Sequence, residues 1–206
     1  MRAGLVNVSR EAAEHVYHCL LEMGAQQINP VLAVIADHNT IQRDKKYPAE
    51  LLQFNGAGWR AYYHCHANQP EIDHLFENEH GHFHLFTRLD STEASWSHLV
   101  ALSMDEFGQP LRWFMVNHWV TGENWSGAET LRQKLVDIPY SSQSSLLEEW
   151  LLSILALYQQ DILQMLTSRD ACITGEQFLQ DRKHYLLEEK GIILKQKLEQ
   201  AFTAND

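Results

Sequence analysis

The chain has 206 residues, 45% of them hydrophobic and 21% charged, an ordinary composition for a globular protein with a buried core. Its formal net charge is -11 with a pI near 5.5, which argues against nucleic acid and anionic membrane as partners, since both need a basic surface. Three cysteines far apart in sequence (Cys19, Cys65, Cys172) form no C-x-x-C pair and suit a reducing compartment, so neither a disulfide framework nor a thiolate zinc knot is expected.

The N-terminus "MRAGLVNVSREAAEH" turns polar too soon for a signal peptide, and no apolar run approaches the roughly 20 residues of a membrane span, so a cytoplasmic protein is expected. Ser9 is placed to cap a helix whose apolar positions are Ala12, Val16, Cys19, Leu20 and Met23, ending at Gly24. His15 and His18 fall on or beside that stripe as helix flank. "NPVLAVIADHN" fits either helix or strand, and residues 39–57, with Pro48 and Gly56, read mostly as a connecting loop.

From Gly58 to about Val120 the pattern changes to a period of two. "WRAYYHCHA", "GHFHLFTRL", "SHLVALSMD" and "LRWFMVNHWV" predict four strands, the last two joined by the hairpin signal "EFGQP". Helices follow. Ser145 with Glu148 is a capping box before a long apolar stripe over residues 145–168, which must cover the sheet or a second copy, and so allows a homodimer. Thr174 with Gln177 predicts a last helix reaching about Phe202, weakened at Gly191. The expectation is a single α+β domain over 1–206: an N-terminal helix and connection (1–57), a central antiparallel, possibly curled sheet (58–122) and a helical C-terminal part (123–206).

Eight of the twelve histidines lie between His64 and His118. Alternate residues of a strand face the same way about 6.5–7 Å apart, so two imidazoles of an H-x-H can bend toward one ion. Three in a row cannot, because the outer pair would be about 13 Å apart. Two of the "HGHFH" histidines are therefore expected as ligands, with His80 in another role or in the turn before the strand. If the two H-x-H strands are antiparallel neighbours, their faces coincide, since cross-strand Cβ atoms lie only about 4.5–5.5 Å apart. The expected ligands are His64, His66, His82 and His84, with oxygen available from Glu79, Glu77 or Glu71, holding a divalent ion, Zn²⁺ or Fe²⁺. A solvated, histidine-rich strand face is the plainer alternative.

Around these ligands, Glu79, His80 and Arg88 are the candidate catalytic groups, for proton transfer and for holding a substrate carboxylate or phosphate. Tyr63, His98, Asn117 and Glu123 are candidates to orient the imidazoles. Tyr62 and Tyr63 point to opposite faces, so only one of them joins the histidines. His74 and His118 are weaker candidates, His184 reads as surface, and Trp113, Trp119 and Trp125 read as core. The functional expectation is a metalloenzyme, a hydrolase or oxygenase, activating water or dioxygen for a small-molecule substrate. The alternatives are a non-catalytic ligand- or metal-binding module and a metal-free phosphate hydrolase.

Three resemblances attach to these residues. The spacing Gly58-x5-His64-x-His66-x4-Glu71 resembles the first cupin motif, which implies a barrel whose metal takes two histidines and the glutamate. Asn78 stands where that motif has glycine, and "VNHWVTGEN" lacks the Pro-x-Gly of the second motif. "HGHFHLF" resembles the histidine triad of nucleotide hydrolases, which implies phosphorus chemistry without metal, with Gly81 a departure. From about Tyr47 to Asp170 the chain is similar to an uncharacterised bacterial family with the signature Tyr-Tyr-His-x-His, Glu-His-Gly-His-Phe-His and Asn-x-Trp-Val-Thr-Gly-Glu, carried here by Tyr62 to His66, Glu79 to His84 and Asn117 to Glu123. That family implies no activity. Lys46 stands where it usually has histidine, and His118 where it usually has arginine.

Overall fold

The computed structural model describes residues 2–35, 41–54, 58–66, 73–90, 95–136, 138–140 and 145–204. Six strands, β1 (Tyr47–Gln53), β2 (Trp59–His64), β3 (Gly81–Arg88), β4 (Trp96–Met104), β5 (Pro110–Val116) and β6 (Leu186–Gly191), pair antiparallel in sequential order. The fold is α+β, and the sheet is not closed. A barrel of the cupin kind is therefore not what the first resemblance delivers.

The long helices pack against one face of this sheet, while Trp119 and Val120 of a short helical turn pack with Phe114 on the other. Helix α1 (Arg2–Ala25) runs along α5 (Leu146–Leu157), with the short α2 (Pro30–Ile35) beside them. Every residue of α5 from Trp150 to Leu157 is buried, so this helix has no solvent face, and its Trp150 ring lies 6.4 Å from that of Phe83 in β3. The alternation of β3 explains the arrangement: Phe83 and Leu85 enter the main apolar core, and His82, His84 and Phe86 face the other way. Most of the hydrophobic burial is on the helix side.

Four sequence expectations change. Ser9 lies inside α1 and does not cap it, because the helix begins at Arg2. The segment read as a loop contains β1, which carries Pro48 on an edge strand, where the missing N–H is tolerated. The single helix over 145–168 is two, α5 and α6 (Gln159–Ala171), broken at Tyr158, whose φ of -100° and ψ of 12° leave the helical region. The predicted capping box stands at its start: Ser145 Oγ accepts from the Glu148 N–H at 3.3 Å.

The last helix is the largest difference. Residues Glu176–Gln180 form a 3₁₀ turn, and Leu186–Gly191 add β6 to the edge of β5, with Met115 opposite Glu188 and Trp113 opposite Lys190. Only Leu194–Thr203 is helical, followed after α3 (His118–Thr121) and α4 (Ala128–Lys134) as α7. An open strand edge on β5 offers a full ladder to a segment whose local pattern favours helix, and the tertiary pairing wins. Among the described residues, no helix is long and apolar enough to cross a membrane.

A candidate metal centre on the histidine face

Strands β2 and β3 are the antiparallel neighbours that the two H-x-H pairs require. In their register His64 stands opposite His82, and Tyr62 opposite His84. The face opposite the helices therefore carries Tyr62 and His64 from β2, His82, His84 and Phe86 from β3, His98 from β4 and Phe114 from β5. His66 follows two residues beyond the end of β2. Two small apolar clusters bracket the imidazoles: Tyr62, Phe86 and Trp96 on one side, and Ala101, Phe114, Val116 and Tyr185 with Phe76 on the other.

Gly81 makes the close approach of β2 and β3 possible. A Cβ there would stand 2.6 Å from both the His64 carbonyl oxygen and the Tyr63 hydroxyl. The glycine that departs from the histidine-triad pattern is thus demanded by packing.

The side chains converge. His64 Nε2 lies 2.7 Å from His82 Nε2, which lies 3.1 Å from His84 Nε2. His64, His66 and His82 can each present one nitrogen with all three inside 4.8 Å of one another, so this trio could hold a metal ion. Around a tetrahedral zinc, ligand nitrogens are about 3.3 Å apart for bonds of about 2.0–2.1 Å, so the His64 and His82 nitrogens would open by about 0.6 Å and the trio's wider gaps, up to 4.8 Å, would close. His82 and His84 are buried, while His64 and His66 are half-buried.

The outer nitrogens are occupied as well. His82 Nδ1 lies 2.5 Å from Glu79 Oε1, and His84 Nδ1 lies 2.9 Å from His98 Nε2. Burial favours the neutral form of His64, His82, His84 and His98. It drives the pKa of His64 down to about 2, aided by His82 and His66, and that of His98 down to about 3, aided by Arg169. His82 and His84 are lowered by the same cause. A neutral imidazole has one N–H and one lone pair. If the His82 Nδ1–H is given to Glu79 and the His84 Nδ1–H to His98, both Nε2 atoms turn bare lone pairs toward the same point. One N–H from His64 can satisfy only one of them; a cation at that point would satisfy all three.

Glu79 is itself raised to about 7, burial outweighing the Ser103 hydrogen bond and the nearby His66 and Arg112. Its second oxygen is buried with no hydrogen-bond partner among the described residues. The carboxylate grips the back of a ring and does not face the point where the nitrogens meet.

The other expected site residues fall elsewhere. His80 precedes β3, and the Tyr63 hydroxyl lies 2.6 Å from its Nδ1. Tyr63 packs on Phe83 within the main core, so Tyr62 is the tyrosine that joins the histidines. Arg88 lies over the Trp96 ring at 4.8 Å, and Glu123 accepts from Arg60 Nη2 at 2.5 Å. Asn117 caps α3 and donates to the Phe178 carbonyl at 2.9 Å, a structural junction that does not reach the imidazoles. His118 meets Gln180, His74 is exposed, and Glu77 is exposed; Glu71 lies outside the described residues. Trp113 is fully buried, whereas Trp119 is half-buried against Tyr185. Sequence reasoning missed Tyr185, which stacks edge-on against Phe76 and His66, because it sits in a segment read as helix.

An open antiparallel sheet with its long helices on one face and converging imidazoles on the other defines the class: an α+β protein with a candidate metal centre on its sheet. A family model described as a domain of unknown function, DUF6969, matches residues 10–197, and the chain belongs to that family. No curated protein and no solved structure matches it.

Proposed function

We propose that the histidine face holds one divalent ion, zinc or iron(II), and that the protein is a metalloenzyme acting on a small molecule. The observation that supports this most is the meeting of His64, His82 and His84 Nε2 atoms within 3.1 Å along the chain of contacts, with Glu79 and His98 behind two of the rings. A carboxylate or imidazole on the far nitrogen is the usual support of a metal-bound histidine, because it fixes both tautomer and ring orientation. His64 and His82 are ligands in this reading, joined by His66 or His84. Two or three histidines suit zinc or non-haem iron.

When bound, such an ion supplies Lewis acidity toward a coordinated water or, as iron(II), a binding position for dioxygen. The chain's own residues have separate tasks. Glu79 positions His82, His98 positions His84, and the bracketing aromatic rings limit the access of bulk water. Whichever of His66 and His84 is not a ligand would stand beside the ion as a hydrogen-bonding imidazole. Arg88 lies over the Trp96 ring and His80 against the Tyr63 hydroxyl, so neither is assigned a task in this reading.

The test is elemental analysis of protein purified without a polyhistidine tag. About one equivalent of metal is expected, lost in the His64→Ala/His66→Ala double variant. The burial of His82 and His84 favours one second reading, a closed structural ion without a free coordination position. Azide added to cobalt-substituted protein separates the two: a changed visible spectrum supports the open site, and an unchanged one the closed clip.

A further inference from the structure

Two tyrosine rings flank the imidazoles from opposite apolar clusters, and neither has a task in the proposed function. Tyr62, in β2, belongs to the cluster with Phe86 and Trp96, and its ring centroid lies 5.1 Å from His84 and 5.7 Å from His64. Tyr185, just before β6, belongs to the opposite cluster, with its ring 6.1 Å from His66 and 5.5 Å from Phe76. Their residues are only 6% and 8% exposed. A buried phenol ordinarily finds a hydrogen-bond partner, as Tyr63 does in His80. Neither the Tyr62 nor the Tyr185 hydroxyl has one among the described residues, and neither is sealed from solvent as the Tyr158 hydroxyl is.

Charge and protonation add to this. A phenol keeps its O–H at neutral pH, so each hydroxyl is available as a donor. Lys46 Nζ stands 4.3 Å over the Tyr62 ring, while the acids that act on the two phenols are Glu123 at Tyr62 and Glu79 and Asp44 at Tyr185. The neighbouring Arg60 is offset by its ion pair with Glu123. Glu79, the buried acid nearest the cluster, is turned to His82.

We propose that the Tyr62 and Tyr185 hydroxyls are paired donors that bind the oxygen atoms of a small oxyanion, a carboxylate or phosphate group, held against the histidine cluster. This rests on the metal reading for its catalytic meaning, and it names the class of substrate that the centre would take: an anionic one, bound through both hydroxyls. Two donors of neutral pH and an adjacent ammonium discriminate against cations and leave an apolar substrate with two unmatched hydroxyls.

The test is NMR of protein labelled at tyrosine ¹³Cζ, titrated with acetate and separately with inorganic phosphate, in the zinc-loaded and in the metal-free form. Tyr62→Phe and Tyr185→Phe keep both rings in place and assign the two resonances. Saturable shifts of both resonances with either anion, and binding weakened about tenfold or more in each variant, are expected for loss of a hydrogen bond to a charged group. The preferred anion then names carboxylate or phosphate. If zinc binds with the expected stoichiometry but neither anion moves the two resonances, the tyrosine assignment is overturned and the metal centre stands. If zinc does not bind while an anion still moves both, the oxyanion site stands and the metal reading fails. Shifts that persist at equal affinity in both phenylalanine variants also overturn the proposal.

Discussion

Glu79 shows how a residue's identity and its task can separate. Its carboxylate sits 2.5 Å from His82 Nδ1, at the back of the ring, where it governs which nitrogen is left bare. Replacing it by glutamine keeps an acceptor but removes the charge that favours the Nδ1–H tautomer. Glu79→Gln is expected to weaken zinc binding about 10–100-fold, the usual cost of losing such a partner, without unfolding the protein. Competition with a chromophoric chelator measures it; unchanged affinity would remove Glu79 from the site. The paired H-x-H spacing was legible because strand period alone puts alternate histidines on one face. That Glu79 would serve His82 was not, because it depends on the bend at residues 77–80 that turns the chain into β3. Asn117 and Glu123 illustrate the converse: polar residues near the site in sequence that answer to Phe178 and Arg60 in space.

At the scale of elements, the pairing of β2 with β3 creates the site, and Gly81 is where that pairing is tightest. Gly81→Ala places a methyl group against the His64 carbonyl and the Tyr63 hydroxyl, contacts neither β2 nor a buried ring can easily yield. Destabilisation of about 1–3 kcal/mol is expected, typical of overpacking, together with loss of zinc stoichiometry. Urea unfolding and metal analysis check the two halves. The elements that escaped sequence reading were β1 and β6, the two sheet edges. Both owe their form to a neighbouring strand, which local pattern does not contain.

Strand β6 has its own fastening. Asp161 in α6 accepts from Lys190 in β6 at 2.6 Å and from Lys197 in α7 at 2.7 Å. Burial pushes its pKa up, but the two lysines together outweigh that and the net shift is downward. A carboxyl with a depressed folded pKa adds stability above its unfolded value, near 3.9, and loses it as the pH falls through the folded value. Asp161→Asn should therefore cost about 1 kcal/mol at pH 7, the scale of partly screened pairs, and the gap to wild type should narrow as the pH falls below about 4 and close once it is below the depressed folded pKa. Denaturant midpoints at the two pH values check this; a constant gap would mean that the ion pairs contribute nothing.

For the whole molecule, the sheet divides the work. One face is a dry core built from α1, α5 and the alternate residues of β2 to β5; the other carries neutral, buried imidazoles between two aromatic clusters. The α+β class followed from composition and periodicity, while the convergence of four strands' side chains needed the register. An ion bound only by the folded state stabilises it by about 2.7 kcal/mol at a hundred times its Kd. For a chain of this size, zinc should raise the Tm by about 5–10 °C. A Tm indifferent to zinc in chelator-treated protein would speak against a folded-state site.

The most direct measurement is the metal content of untagged protein beside its His64→Ala/His82→Ala variant, both verified as folded by circular dichroism. The account predicts about one zinc or iron per wild-type chain and none in the variant. A wild-type chain that carries no metal and takes up none from stoichiometric zinc or iron(II) would contradict it.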